Sequence, residues 1–405
     1  MVGGSLAGLR AAEGMATQCA QVQVTVIGDE SVAPYSRPEL SKGVLAGVTG
    51  ADTLAFRQRM HGDPRVTWRL GTTVVDSDLD RRQVHLDTGE ALPWDALVVA
   101  SGLRARRLDA PGPASGRHVV RDMADVHRLR TATRGARNAV VVGAGVLGCE
   151  LASTLRSLGL PVTLVHRDTV PLRSALGPVV GRRLQWLHER RGVRFRLGEK
   201  VAAYSGTDRV SGVELASGDH LPADLVVEAV GSLPNTQWLR AEQVDRSDGV
   251  LTGNDLLVAG RSDVAACGDV VRFPNPLYPY LLRRVEHWTM AGETSRRASA
   301  SLLAAHGSAA PAPAAFAPLP YFWSEQHGMR LQGLGLVDGT DETSVLEGGA
   351  DGEAVYGHRR AGRLVAVTLL AMSERLPHYR ELLVESLARP PAESTHTVDP
   401  VSVTP

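Results

Sequence analysis

Three glycines carry the clearest chemistry in this sequence. Gly143, Gly145 and Gly148 form G-x-G-x-x-G between the β-branched run at residues 140–142 and a stretch that reads as a helix. The first glycine permits a tight turn, the second lets a pyrophosphate approach the backbone, and the third lets helix pack on strand. The helix then presents its N-terminal amides and positive dipole end to the phosphates. A return strand over residues 162–165 falls where this mechanism needs it, so a dinucleotide site is expected. It takes in Val146, Leu147 and Glu150 from the helix, and Val230 and Gly231 from the end of a later strand.

The residues after the return strand bear on which dinucleotide binds. An acidic residue there would accept from a ribose 2′-hydroxyl. This chain instead has His166 and Arg167, with Arg173 further on. Two guanidiniums suit a 2′-phosphate, which a carboxylate would repel. NADPH is therefore expected, with NADH open as the alternative.

A second glycine turn opens the chain. Gly3-Gly4-Ser5-Leu6-Ala7-Gly8 keeps Gly3 and Gly8 and puts Ser5 in the middle position. A helix to about residue 16 and a strand over 22–27 follow, and Asp29 and Glu30 at its end are acidic candidates for a ribose. Only Met1 and Val2 stand before the turn, and the expectation is that the true start lies several residues upstream.

The elements that must position these residues are duplicated. Residues 84–102 and 213–231 align without a gap: hairpin turn residues, Leu-Pro, an Asp, an apolar strand and a closing glycine. Two turn–helix copies and two hairpin–strand copies imply two related nucleotide domains, the second nested in the first. Gly268 and Asp269, at a later strand end, suit a ribityl or phosphate-linked hydroxyl. Residues 304–318 read as an Ala/Pro linker. A third unit has strands near 330–336, 354–359 and 364–370 and a helix over 376–387, and the tail from 389 reads as disordered.

The composition excludes several classes. At 405 residues the chain holds two or three domains, and 44 basic residues balance 44 acidic ones, so nothing global points to nucleic acid or an anionic membrane. No stretch suits a bilayer span or a signal peptide, which fits a cytoplasmic protein. Cys19, Cys149 and Cys267 are far apart and form no C-x-x-C, arguing against a disulfide framework or metal site. Cys149 reads as a small residue packed under the helix. Lysine occurs only at Lys42 and Lys200, so a lysine in a motif carries extra weight.

With GGSLAG, PYSRPELSK, ASG, GAGVLGCE, CGD, EHWTMA and PYFWSEQHG in view, the chain resembles the FAD-dependent ferredoxin reductases of the putidaredoxin reductase and biphenyl dioxygenase reductase type. The likeness runs in order from Val2 to about residue 389. Glu39, where the family usually has a second proline, and Glu325, in place of a more common aspartate, depart from its pattern. The resemblance implies an α/β fold: two nested doubly wound, Rossmann-like domains plus a C-terminal α+β domain. The boundaries expected are 1–105 with 241–310 for FAD, 106–240 for NAD(P)H, 319–390 for the C-terminal domain and 391–405 for the tail.

It also implies FAD contacts at Ala7, Asp29, Arg37, Lys42, Val75, Ala100, Arg121, Asp269 and Trp288, to which the motifs add Gly3, Ser5, Gly8, Glu30, Ser101, Gly102 and Gly268. Lys42 is expected near the flavin, with Glu150 as charge partner, because an ammonium there favours the negative charge that hydride delivers. Lys42, Glu150 and Trp288 are the catalytic candidates. The partner implied is a ferredoxin-type iron–sulfur protein serving a cytochrome P450 or ring-hydroxylating oxygenase. Arg283-Arg284, Arg296-Arg297 and Arg359-Arg360 are either a basic docking patch for an acidic ferredoxin or ordinary solvated arginines, and Trp323 and His327 either approach the flavin or pack in the core. Two alternatives stay open on this scaffold: another acceptor (oxygen, a quinone or a thiol protein), and a redox or interaction flavoprotein like apoptosis-inducing factor.

Overall fold

The computed structural model describes residues 1–57, 62–240, 242, 244–307, 315–349 and 352–388. Residues 308–314 of the expected Ala/Pro linker and the expected tail (391–405) lie outside the described residues.

After the first glycine turn come helix α1 (Leu6–Gln18) and strands β1 (Val24–Gly28) and β2 (Val66–Leu70), paired in parallel. Strands β3 (Val74–Asp78), β4 (Gln83–Leu86) and β5 (Ala91–Pro93) make an antiparallel meander that leads into β6 (Leu97–Val99). The strand before the turn is reduced to Val2, which bridges both Ile27 and Val99 in parallel. Val2 N donates to Val98 O at 2.9 Å, and Ile27 N donates to Met1 O at 3.0 Å. Short as it is, this segment gives both neighbouring strands ladder partners.

Strand β7 (Leu103–Ala105) leaves this sheet, and β8 (Arg117–His118) begins a second one. Helix α2 (Met123–Thr133) starts at a reciprocal capping box between Asp122 and Asp125, a device that stabilises a helix by about 1 kcal/mol. There follow β9 (Ala139–Val142), α3 (Val146–Ser157), β10 (Val162–His166), α4 (Arg173–Arg190) and β11 (Val193–Leu197). A second meander, β12 (Val201–Ser205), β13 (Gly212–Leu215) and β14 (His220–Pro222), feeds β15 (Leu225–Glu228). The parallel order β11-β10-β9-β15-β8 puts the fully buried Ala139–Val142 at its centre. Buried on both faces, that strand needs the β-branched run seen in the sequence.

The chain returns through β16 (Ser232–Pro234), antiparallel to β7, then β17 (Val250–Leu251) and β18 (Val264–Ala266). Strand β18 pairs in parallel with β6. Strands β19 (Val271–Pro274) and β20 (Leu282–Arg284) precede α5 (Trp288–Ala305), which packs on α1. Small residues let those helices approach, so that Ser295 Oγ donates to Ala7 O at 2.9 Å and Ser299 Oγ to Ala11 O at 3.1 Å.

The last unit is an antiparallel sheet of β21 (Tyr321–Gln326), β22 (Met329–Gly335), β23 (Glu342–Gly348), β24 (Ala354–Arg360) and β25 (Arg363–Leu370), in the order β21-β22-β25-β24-β23. Helix α6 (Leu376–Ala388) covers it through Tyr379, Leu383 and Leu387. Strands β21 and β23 had no counterpart among the three strands expected there.

Candidate functional site

The two glycine turns are built alike. Gly3 and Gly143 have φ of 124° and 107°. A Cβ at Gly3 would lie 2.0 Å from Ala100 O, and one at Gly143 would lie 2.2 Å from Ala229 O. A Cβ at Gly8 would lie 1.9 Å from Gly3 O, and at Gly148 1.8 Å from Gly143 O. These four positions are closed to any side chain. Gly145 differs: nothing lies within 4 Å of a Cβ there. The open space sits over the N-terminus of α3, where a pyrophosphate would meet the backbone. In the first turn Ser5 holds that place, and its Oγ accepts from Arg37 Nε at 3.3 Å.

A trough runs from the first turn toward the second. One end, a cavity of about 290 Å³, is lined by Gly3, Ser5, Asp29, Glu30, Ser101 and Arg121 among others. It shares Ser5, Arg37, Ala100, Gly102 and Arg121 with a neighbouring cavity of about 310 Å³, which adds Ala7, Gly268 and Asp269. That cavity shares Leu147, Glu150 and Trp288 with a third of about 420 Å³, which also takes in Lys42, Val146 and Trp323. Val75 lines none of the three: its side chain is 47% exposed at a bulge in β3.

Within the trough the charges are ordered. Arg37 pairs with the Glu30 carboxylate and donates to Arg121 O at 2.7 Å. Tyr35 OH donates to Glu30 Oε2 at 2.6 Å. Glu30 is thereby engaged, and of the two acidic candidates it is Asp29 that stands exposed at the lip. Burial pushes the Asp269 carboxyl up, while Arg121 opposes this from 3.6 Å. A carboxylate held this loosely beside a narrow cavity has lone pairs to offer a hydroxyl donor.

At the junction of the trough and the third cavity, Lys42 Nζ lies 2.8 Å from Glu150 Oε2 and donates to Pro38 O at 2.8 Å. The lysine sits in a short π-helical turn, Leu40–Val44, and the glutamate in the second turn of α3. Both side chains are nearly buried, at 12% and 6% exposure. Ser41 Oγ donates to Glu150 Oε2 at 2.6 Å, and Ser324 Oγ donates to Glu150 Oε1 at 2.7 Å. One carboxylate thus gathers the loop after the first turn, the helix of the second, and β21. Sequence reasoning missed Ser41 and Ser324, although each lies inside a motif it had singled out.

Trp288 opens α5 and is 40% exposed. Its ring meets Trp323 edge-on at 5.6 Å, with Phe56 at 6.3 Å. Of the two readings of His327 the geometry fits packing: it lines none of these cavities and packs on His188, ring centres 4.6 Å apart.

Beyond β10, Ala144 N donates to His166 Nδ1 at 3.2 Å, and His166 Nε2 lies 3.4 Å from Asp168 Oδ2. Burial pushes the His166 imidazole down. Arg167 is 77% exposed, with its Nε 3.9 Å from Asp168, and Arg173 is exposed at the start of α4. Asp168 lies outside the motif residues expected at this strand end. Val230 and Gly231 follow β15, and Gly231 O accepts from Arg106 N at 3.0 Å.

Of the six paired arginines, two are withdrawn from the surface. Arg297 is buried, and Arg284 is 10% exposed and held by Asp248 and Glu286, each at 2.8 Å. Arg283 is bound to Asp338 at 2.5 Å, and Arg360 lies over the Tyr280 ring at 3.5 Å. The three cysteines are free and buried, and burial pushes the Cys149 and Cys267 thiols up, Cys267 to about 12. Buried thiols of raised pKa are poor nucleophiles.

These residues fit a dinucleotide at each turn. The first would be held by α1 and its turn, Arg37, Arg121 and Asp269. The second would lie over Gly145 and α3, so that both reach Lys42, Glu150 and Trp288 from opposite sides.

Comparison with known proteins agrees. Residues 1–295 match the family model for pyridine nucleotide-disulphide oxidoreductase, and residues 321–400 match that for the reductase C-terminal domain. The ferredoxin–NAD(+) reductase component of the anthranilate 1,2-dioxygenase system of Burkholderia cepacia is 34% identical, covering 95% of this chain and 93% of that one. Putidaredoxin reductase of Pseudomonas putida is 30% identical, covering 96% and 92%. The crystal structure of a covalent putidaredoxin reductase–putidaredoxin complex superposes with a TM-score of 0.87 at 28% identity, over 97% of this chain and 93% of that one.

Proposed function

The chain belongs to the pyridine nucleotide-disulphide oxidoreductase family and is an FAD-binding, NAD(P)H-dependent oxidoreductase, and from that premise we propose how its residues serve the reaction. It is a ferredoxin reductase, moving electrons from NAD(P)H through FAD to a ferredoxin-type iron–sulfur protein that feeds a P450 or ring-hydroxylating oxygenase. Residues 1–105 and 241–310 hold FAD, 106–240 hold NAD(P)H and 319–390 complete the acceptor side. No helix among the described residues is long and apolar enough to cross a membrane, and we place the protein in the cytoplasm.

Bound FAD supplies a two-electron acceptor that can release electrons singly. The chain's own residues orient and screen that chemistry. The Lys42 ammonium is a fixed positive charge toward the flavin-facing cavity, where it favours charge arriving on reduction, and Glu150 fixes its position. Trp288 and Trp323 wall the same cavity with apolar surface, which excludes water and strengthens these interactions. Arg167 and Arg173 bind a 2′-phosphate and give a preference for NADPH over NADH.

The observation that carries this reading is the Lys42–Glu150 pair at the place where the two nucleotide sites converge. The test is anaerobic mixing of the flavin-loaded protein with NADPH or NADH, followed by a [2Fe–2S] ferredoxin. Fast bleaching that Glu150→Gln and Lys42→Met each slow at least tenfold, with electrons passing to the ferredoxin, is the expected result. Bleaching at wild-type rate in both variants would remove the role given to the pair. Transfer to a quinone or oxygen in preference to ferredoxin would replace the acceptor.

A further inference from the structure

The Glu150 carboxylate is the inner end of a longer hydrogen-bonded chain. Ser324 Oγ reaches Glu150 at 2.7 Å, and Gln326 Nε2 donates to Ser324 Oγ at 3.0 Å. Gln326 Oε1 lies 2.8 Å from His188 Nε2, and His188 Nδ1 lies 3.0 Å from His327 Nε2. The chain passes from α3 through β21 to α4 and back to the residue after β21. His327 is anchored there by its backbone N–H, which donates to Ser153 Oγ of α3 at 2.7 Å.

One arrangement of protons satisfies every link. An ionised carboxylate accepts only, so Ser324 donates to it. The Ser324 oxygen then accepts from the Gln326 amide, which turns the Gln326 carbonyl toward His188. His188 must carry its proton on Nε2, and a neutral ring then has an accepting Nδ1, so His327 must donate from Nε2. Burial pushes both imidazoles down, His327 to about 4 with help from His188, Arg191 and Arg156, so both rings are neutral near pH 7. Every donor in the series points toward Glu150.

We propose that His188 and His327 are positioning residues: they hold Ser324 as a fixed donor to Glu150, and so set the charge balance of the Lys42–Glu150 pair at the flavin-facing cavity. The inference rests on the role given above to that pair. Aligned hydrogen bonds polarise one another. Loss of the outer links weakens the Ser324 bond and leaves the carboxylate charge less neutralised, which disfavours added electron density nearby. The expected effect is a three- to tenfold shift of the flavin couple toward the oxidised form; for a two-electron couple tenfold is about 30 mV.

Two measurements test this. The first uses the unaltered, cofactor-free full chain: nitrogen-15 NMR of the imidazoles at pH 7 should show both His188 and His327 protonated at Nε2. An Nδ1–H tautomer at His188 overturns the proposal. The second is a redox titration of flavin-loaded full-length protein. His188→Phe should lower the midpoint potential, while His188→Gln, which keeps a donor toward Gln326, should restore it. An unshifted potential in His188→Phe, with Glu150→Gln shifted, sinks the histidine role and leaves the pair intact. An unshifted potential in Glu150→Gln as well would overturn both.

Discussion

A double-mutant cycle on Lys42 and Glu150 probes the centre of the site independently of turnover. At 2.8 Å the two charges attract by about 6 kcal/mol if the effective dielectric constant is about 20. Desolvating two nearly buried ions offsets much of that gain. Breaking the pair from one side is a different matter. Glu150→Gln strands a buried ammonium whose remaining protein acceptor is Pro38 O, and it sets an amide against the Ser41 and Ser324 hydroxyls. Its cost should be about 3–4 kcal/mol. Lys42→Met leaves a buried carboxylate that still accepts from both serines, at a cost of about 2–3 kcal/mol. The double variant removes both charges together and should cost only about 3–4 kcal/mol, a coupling of about 2–3 kcal/mol. The assay is urea unfolding of the four cofactor-free proteins, followed by tryptophan fluorescence. With a slope of about 3 kcal/mol per molar urea, Glu150→Gln should lower the midpoint by about 1 M. Additivity of the single changes to within about 0.5 kcal/mol would refute a tightly coupled pair.

Three further outcomes follow from geometry described above. Gly145→Ala adds its methyl to open space, so the melting temperature should hold while KM for NADPH rises; Gly148→Ala drives a methyl to 1.8 Å from Gly143 O and should lower melting markedly. Thermal scans and steady-state kinetics on both variants separate a ligand cradle from a packing contact. Arg167→Ala with Arg173→Ala should raise KM for NADPH about tenfold or more, the loss of at least one charge-assisted hydrogen bond, while KM for NADH stays within about twofold; equal losses for both cofactors would discard the 2′-phosphate reading. His358 is fully buried between Thr343 Oγ1 and Thr368 Oγ1, and burial pushes its imidazole down to about 4 from an ordinary 6.5. Because its folded value lies below the unfolded one, the unfolded chain takes up the proton first. Its contribution is therefore present above pH 6.5 and is lost as pH falls toward 4, by up to about 3 kcal/mol. Urea midpoints measured from pH 7.5 to 4.5 should fall, and His358→Gln should flatten that fall.

What was legible in the sequence is what depends on local pattern. The glycine turns and the doubled hairpin–strand units correspond to elements in the structure, while the Lys42–Glu150 contact, which joins distant parts of the chain, was implied by the family resemblance alone. Local pattern failed where tertiary placement decides. Strands β21 and β23 were missed because neither edge strand carries an apolar alternation: the buried residues of β21 are Ser324 and Gln326, and β23 has none. The arginine pairs left two readings open because adjacent residues on a strand point to opposite faces, and adjacent residues on a helix diverge. Arg297 is accordingly buried although its neighbour Arg296 is exposed. Ser41, Ser324 and His188 could not be assigned to Glu150 because their contacts join distant parts of the chain, and no spacing rule reaches across them.

The pairing of β6 with β18 bears on how the protein is made. Leu97–Val99 must wait for Val264–Ala266 before that edge of the first sheet is complete, and α1 must wait for Ser295 and Ser299 of α5. Between them lies a unit whose central strands pair with one another over short separations. During synthesis that inner unit can close while the first glycine turn is still without its supporting helix. The outer unit, although it emerges from the ribosome first, cannot be completed until β18 and α5 have been made. A nascent chain stalled before α5 would therefore present a folded second glycine turn, still without Trp288 and Ser324, beside an open, apolar first sheet.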